Sequence, residues 1–233
     1  MEKWKLSNGY DLYKVTGLRC NTFLLACENG NILIDSGRKN MRRTLIKNID
    51  RVKKIKPGID FLILTHSHFD HCENAAYLKS VKKCKILLSD KEKEYAMKGN
   101  FVIPENIKWI ANLVSKFFKK TGRFEPFIPD INLNGNMNLT EFGYDAEIIE
   151  TPGHSQGSVS IVINNKIAVV GDTLFEVIPY RVCPPFRDDM YQLIKSWEIL
   201  LNTGCNLFLP SHGFPIKRNL LQLQYDKYLV SWK

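Results

Sequence analysis

The chain has 233 residues, 44% of them apolar and 24% charged, with a net charge of +9. Such a composition excludes a disordered chain and a membrane-embedded one, and the length suits one large α/β domain spanning residues 1–233. The first nine residues contain no secretory apolar segment, and no later run is long enough to cross a bilayer. The six cysteines (Cys20, Cys27, Cys72, Cys84, Cys183 and Cys205) lack zinc-finger or redox spacing, so a reduced, cytoplasmic protein is expected.

In chain order, residues 11–16 and 20–27 read as strands, and Asn29-Gly30 marks a hairpin turn before a strand over 31–34. A basic stretch follows: Arg38, Lys39, Arg42, Arg43, Lys47, Arg51, Lys53, Lys54 and Lys56, opposed only by Asp50. Met41, Leu45, Ile49 and Val52 recur within it at helical spacing, which predicts an amphipathic helix stopping near Pro57-Gly58. Its charged face is either simply solvated or a patch for a polyanion. The apolar strand 61–64 runs into a histidine-rich segment, then a helix over 73–80 and a strand over 85–88.

Residues 91–138 break this alternation. Ile110, Leu113, Val114, Phe117 and Phe118 make a helical stripe stopped by Gly122, either a helix docked on the core or a helical lid inserted over a substrate pocket. Strands are then expected at 146–150, 158–163 and 166–170, the last two joined by an Asn164-Asn165 turn. A helix over 190–201 has Leu193, Ile194, Trp197 and Leu200 on one face, with Asp188 or Asp189 to cap its start and Gly204 its end. Strand 207–209 closes the series.

All five histidines stand just after predicted strands. His66, His68 and His71 share the run His66-Ser-His-Phe-Asp70-His71; His154 lies in Thr-Pro-Gly-His-Ser and His212 in Leu-Pro-Ser-His-Gly. Asp172 follows the strand between those two. Loops at strand ends are where α/β proteins gather side chains remote in sequence. Imidazoles two residues apart can address one ion from a loop, and the following Asp and His a second. Gly153, Gly171 and Gly213 flank the later donors and permit the tight turns that a crowded centre needs.

These residues, in this order, resemble the metallo-β-lactamase-fold hydrolase superfamily, whose common form is an α/β four-layer αββα sandwich with mixed sheets. The resemblance implies that His66, His68 and His154 hold one divalent ion. Asp70, His71 and His212 would hold a second, with Asp172 bridging. Zinc is the expected metal, with iron or manganese as alternatives. It also implies that Asp35, in Leu-Ile-Asp-Ser-Gly, supports a ligand imidazole. Hydroxide bridging the ions, about 3.5–4 Å apart, would be the nucleophile, with Asp70 orienting it or moving its proton.

Departures from particular branches narrow the expectation. Aspartate at 172 disfavours a true β-lactamase, which has cysteine or serine there. Only about twenty residues follow His212, too few for the helical glutathione region of glyoxalase-II-type thioesterases. Phe175, not tyrosine, stands near the slot of the quorum-quenching lactonases. What remains is hydrolysis of an ester, thioester or lactone, on a small molecule that Arg181 or Arg187 could hold by an anionic group. The alternatives are a phosphodiesterase or nuclease, although no nucleic-acid motif is present, and a mononuclear iron oxidase or dioxygenase. Residues 91–138 and 175–187 are the expected pocket walls. Cys72 is expected to be a buried structural thiol.

Overall fold

The computed structural model describes residues 1–17, 20–52, 58–100 and 122–231. The helical stripe expected over 110–118 and the basic residues 53–56 lie outside these. The described residues up to Asn134 form one compact unit and those from Gly135 a second. Each unit is built on its own sheet.

The first unit's sheet has seven strands in sequence order: β1 (Lys3–Lys5), β2 (Asp11–Thr16), β3 (Thr22–Ala26), β4 (Asn31–Ile34), β5 (Phe61–Ile63), β6 (Lys85–Ser89) and β7 (Ile131–Leu133). The first four pair antiparallel, and β4 to β7 are parallel. Parallel neighbours need crossovers, and three helices lie along them: α1 (Arg42–Arg51), α3 (Ala75–Lys82) and α4 (Asp90–Lys98), with the single turn α2 (Phe69–Cys72) preceding α3. Leu45 and Ile49 of α1, Leu78 of α3 and Ala96 of α4 pack on Leu24, Leu33, Leu62 and Ile86 of the sheet. The alternate strand residues Phe23, Leu25, Ile32 and Ile63 are buried as well. Strands apolar on both faces are what a sheet covered on both sides requires.

The second unit's six strands run β13-β12-β11-β10-β9-β8: β8 (Met137–Asn138), β9 (Ala146–Glu150), β10 (Val159–Ile163), β11 (Ile167–Gly171), β12 (Leu207–Pro210) and β13 (Ile216–Lys217). Only β11 and β12 pair parallel. The β10–β11 hairpin turns through Asn164 and Asn165, both left-handed (φ 49° and 51°), a conformation that asparagine tolerates. Helices α5 (Met190–Asn202) and α6 (Arg218–Ser231) complete the unit. The Asp189 carboxylate caps α5 by accepting from Gln192 N (3.0 Å), as expected. Leu193, Trp197 and Leu200 pack against Val162, Ala168, Val170 and Phe208. No helix among the described residues is long and apolar enough to cross a membrane.

Residues 91–138 are not wholly apart from this scheme, since α4 buries Ala96 against the first sheet and β7 extends it. Five of the six cysteines are buried, and all six are free thiols.

Trp197 is fully buried, and its indole Nε1 donates to the Thr173 carbonyl (2.8 Å), one residue past Asp172. Trp197→Phe removes that donor and leaves a buried carbonyl unsatisfied. It should lower unfolding free energy by about 1–3 kcal/mol, read as a shifted urea midpoint at unchanged slope.

Candidate metal centre

In the first unit, the parallel register sets Ile34 opposite Ile63, so Asp35 and Thr65 leave the same sheet edge. Asp35 is fully buried and left-handed (φ 60°). Its carboxylate accepts from Thr65 N (2.8 Å), from the Thr65 hydroxyl (3.0 Å) and from His71 Nδ1 (2.8 Å). A carboxylate can only accept, so the proton of His71 sits on Nδ1 and Nε2 presents its lone pair. The Thr65 hydroxyl also lies 3.1 Å from His66 Nδ1. The ring of His66 is 4.0 Å from that of His71 and 4.4 Å from that of His68, centre to centre. Asp70, half-buried, sits in the first turn of α2.

Two further anchors hold this segment. Buried Glu92, on α4, accepts from the backbone N–H of Ser67 (3.1 Å) and from its hydroxyl, fixing the residue between His66 and His68. Ser36 binds the His71 carbonyl through its hydroxyl (2.6 Å) and its N–H (2.8 Å). The Asn74 amide in turn donates to the carbonyls of Ser36 (2.8 Å) and Arg38 (2.9 Å). The basic stretch contributes here: Arg42 Nε donates to Asn74 Oδ1 (2.8 Å), and Arg38 pairs with Glu73 (3.0 Å) over the ring of Phe69. Those two cations are engaged within the fold. Cys72 is buried, and its thiol donates to the His66 carbonyl (3.4 Å), as expected of a structural thiol. Burial pushes its thiol well above the ordinary value, and Asp35, Glu92 and Asp70 add to the shift.

In the second unit, β9, β11 and β12 run in one direction, with β10 opposed between the first two. The residues after them therefore leave one edge, and His154, Asp172 and His212 come together there. One Asp172 oxygen, Oδ2, lies 3.5 Å from His154 Nε2 and 3.5 Å from His212 Nε2. The glycines act as expected. A Cβ on Gly153 (φ 128°) would fall 2.4 Å from the backbone N of Leu193 on α5, and one on Gly213 (φ 97°) only 2.1 Å from the Glu176 carbonyl. Gly171 (φ 53°) sits where the β11–β12 register slips. His154 Nδ1 donates to the Phe186 carbonyl (2.7 Å), which again leaves Nε2 as the lone-pair nitrogen. The ring of Phe175 stacks on that of His212, 4.8 Å between centres.

The donors fit divalent metal. They are imidazoles and carboxylates, and two of the rings are held at Nδ1 by an oxygen, the usual support of a ligand histidine. Donors around a tetrahedral zinc with bonds of about 2.0–2.1 Å stand about 3.4 Å apart, close to the spacing about Asp172 Oδ2. Glu92 was missed by the sequence reading: an acid in a helix's first turn is ordinary, and nothing local connects it to Ser67.

The metallo-β-lactamase superfamily model matches residues 15–212. The chain belongs to the metallo-β-lactamase superfamily. It is 32% identical over 210 residues to a probable metallo-hydrolase of Methanocaldococcus jannaschii, covering 88% of this chain and 90% of that protein. A hydroxyacylglutathione hydrolase of Haemophilus influenzae, GloC, is 26% identical over 189 residues, with 80% and 81% covered. Among solved structures, TTHA1623 in a di-iron-bound form superposes with a TM-score of 0.65 at 23% identity, covering 89% of this chain and 94% of that one. That likeness shows the superfamily fold, α/β with two mixed sheets, as the resemblance implied.

Asn tolerates left-handed backbone, so Asp35→Asn should fold. It loses the charged acceptor of the His71 proton, and metal affinity should fall 10–100-fold in competition with a chromophoric chelator. Unchanged affinity would rule out the orienting role.

Proposed function

We propose that the chain is a metal-dependent hydrolase of esters, thioesters or lactones in which both units act as one domain. His66, His68, Asp70 and His71 from the first unit and His154, Asp172 and His212 from the second together hold two divalent ions. The observation that carries this reading is that both donor sets are prepared in the same way. His71 and His154 are each fixed at Nδ1 by an oxygen, and Asp172 Oδ2 faces two Nε2 atoms at equal distance. His66, His68 and His154 would hold one ion, Asp70, His71 and His212 the other, with Asp172 shared. Zinc suits such nitrogen-rich donors, and iron, which TTHA1623 contains, or manganese suits them as well.

When bound, the ions supply Lewis acidity toward a substrate carbonyl and lower the pKa of water toward neutrality. The chain's own residues do the rest. Asp35 and the Phe186 carbonyl keep two imidazoles in the ligating tautomer. Asp70, half-buried, orients the attacking water and passes its proton towards solvent. The substrate is a small molecule, and GloC, named for a thioester substrate, favours that class. Free cysteines fit a reducing, cytoplasmic setting. The nuclease reading loses support because Arg38 and Arg42 of the basic stretch are engaged within the fold.

Two measurements test this. Protein purified without added metal should contain about two equivalents by elemental analysis. It should turn over p-nitrophenyl esters, thioesters or lactones faster than bis-p-nitrophenyl phosphate; the reverse order would displace the carbonyl reading. Asp172→Ala should keep its circular dichroism, lose about one equivalent of metal and lose most turnover, on the order of 10²-fold or more. A variant with wild-type metal content and rate would end the bridging assignment.

A further inference from the structure

The second unit contains a cavity of about 480 Å³, within the usual range for small-molecule sites. Its inner wall includes Phe175, whose ring lies on His212, so the cavity adjoins one of the donors described above. Three cations line it, Arg181, Arg187 and Lys227, and no carboxylate is among its lining residues. Apolar side chains such as Ile178 complete the walls.

The cationic side is built by two separate segments. One is the loop after Phe175. There the Glu176 carboxylate accepts from Tyr180 N (3.2 Å), and Arg181 N bonds to the Ile178 carbonyl (3.0 Å), folding the loop back on itself with Tyr180 left-handed (φ 64°). Arg187 is braced by donating from Nη1 to the Pro184 carbonyl (3.1 Å). The other segment is α6, which presents Lys227 and Tyr228. Arg181, Arg187 and Tyr228 share this wall, where burial and Cys183 push the Tyr228 hydroxyl pKa up against the opposing effect of the two guanidinium groups. An apolar ion-free ligand would gain nothing from three like charges gathered around one cavity, whereas an oxyanion would be drawn to them.

We infer that this cavity is the substrate subsite, and that the hydrolysed ester or thioester carries an oxyanion, carboxylate or phosphate, remote from its scissile carbonyl. The inference rests on the hydrolase reading. It specifies that Arg181 and Lys227, from the loop and from α6, take the oxyanion, while Phe175 and Ile178 cover the apolar spacer between anion and carbonyl.

Two 4-nitrophenyl esters of equal chain length, the hexanoate and the mono-adipate, isolate the remote charge. The wild-type chain should favour the adipate at least 10-fold in kcat/KM, mostly through KM, and the preference should shrink with added salt. Arg181→Met with Lys227→Met should bring the two esters towards parity. Calorimetric titration with hexyl phosphate supplies a phosphate probe that needs no turnover, and its binding should weaken at least 10-fold in the double variant. Equal kcat/KM for the two esters in the wild type, or a preference and a hexyl phosphate affinity that survive in the double variant, would overturn the subsite. If no ester is hydrolysed but hexyl phosphate binding depends on both cations, the hydrolase reading fails and the subsite stands. Hydrolysis of both esters without regard to charge has the opposite meaning.

Discussion

A carboxylate with almost no solvent contact anchors the first donor set. Burying an ionised carboxylate costs on the order of several kcal/mol unless its lone pairs are met. At Asp35 they are met by the Thr65 N–H and hydroxyl and by His71 Nδ1. The same bonds that make the charge tolerable also bring β4's exit, β5's exit and α2 together, so the cost of burial and the placement of the histidines have one solution. Ser36 and Asn74 then repeat the tie in backbone terms, binding the carbonyls around it. The carboxylate therefore ties the ends of two strands together as well as orienting one imidazole.

Strand direction does the corresponding work in the second unit. A residue following a strand emerges at the edge that strand points to, and β9, β11 and β12 point the same way while β10 opposes them. Three donors separated by up to 58 positions (His154 to His212) thus share an edge without a dedicated framework. Turning sharply enough to use that edge requires backbone without Cβ. A Cβ added at Gly153 or Gly213 would fall within 2.5 Å of neighbouring backbone, so the loops are packed as closely as glycine allows.

Most of this was legible in the sequence because its signals are local. Apolar runs gave β2 to β6 and β9 to β12, paired asparagines gave the β10–β11 turn, and Asp189 gave the start of α5. The donors were legible because histidine is scarce and each one follows a strand. The parts that were not read lack such local marks. β1, β7, β8 and β13 are two or three residues long and exist through pairing with neighbours, which no short window contains. Helix α6 has a weak apolar stripe and packs through Leu221, Tyr225 and Tyr228. Glu92 shows the same limit at the site, for its bond to Ser67 joins positions 25 apart. The role of Arg38 and Arg42 is tertiary too: their partners Glu73 and Asn74 lie on the far side of the β5 crossover.

The segment from Thr173 to Arg187 has two duties that constrain each other. Its backbone supports every donor of the second unit. Thr173 is tied to Trp197 beside Asp172, Glu176 N binds the His212 carbonyl (3.0 Å), and the Phe186 carbonyl orients His154. Its side chains, meanwhile, line the cavity and point towards solvent at Ile178 and Tyr180, both more than half exposed. Side-chain identity there can vary at little structural expense, whereas a change in backbone path would shift His154 and His212 together. A superfamily that keeps its donors while changing substrates would be expected to vary residues of this kind, rigid in the main chain and open in the side chain. On the proposed reading, the metal chemistry and the choice of substrate would thus be written on the same fifteen residues, one in carbonyls and N–H groups and the other in arginines and aromatic rings.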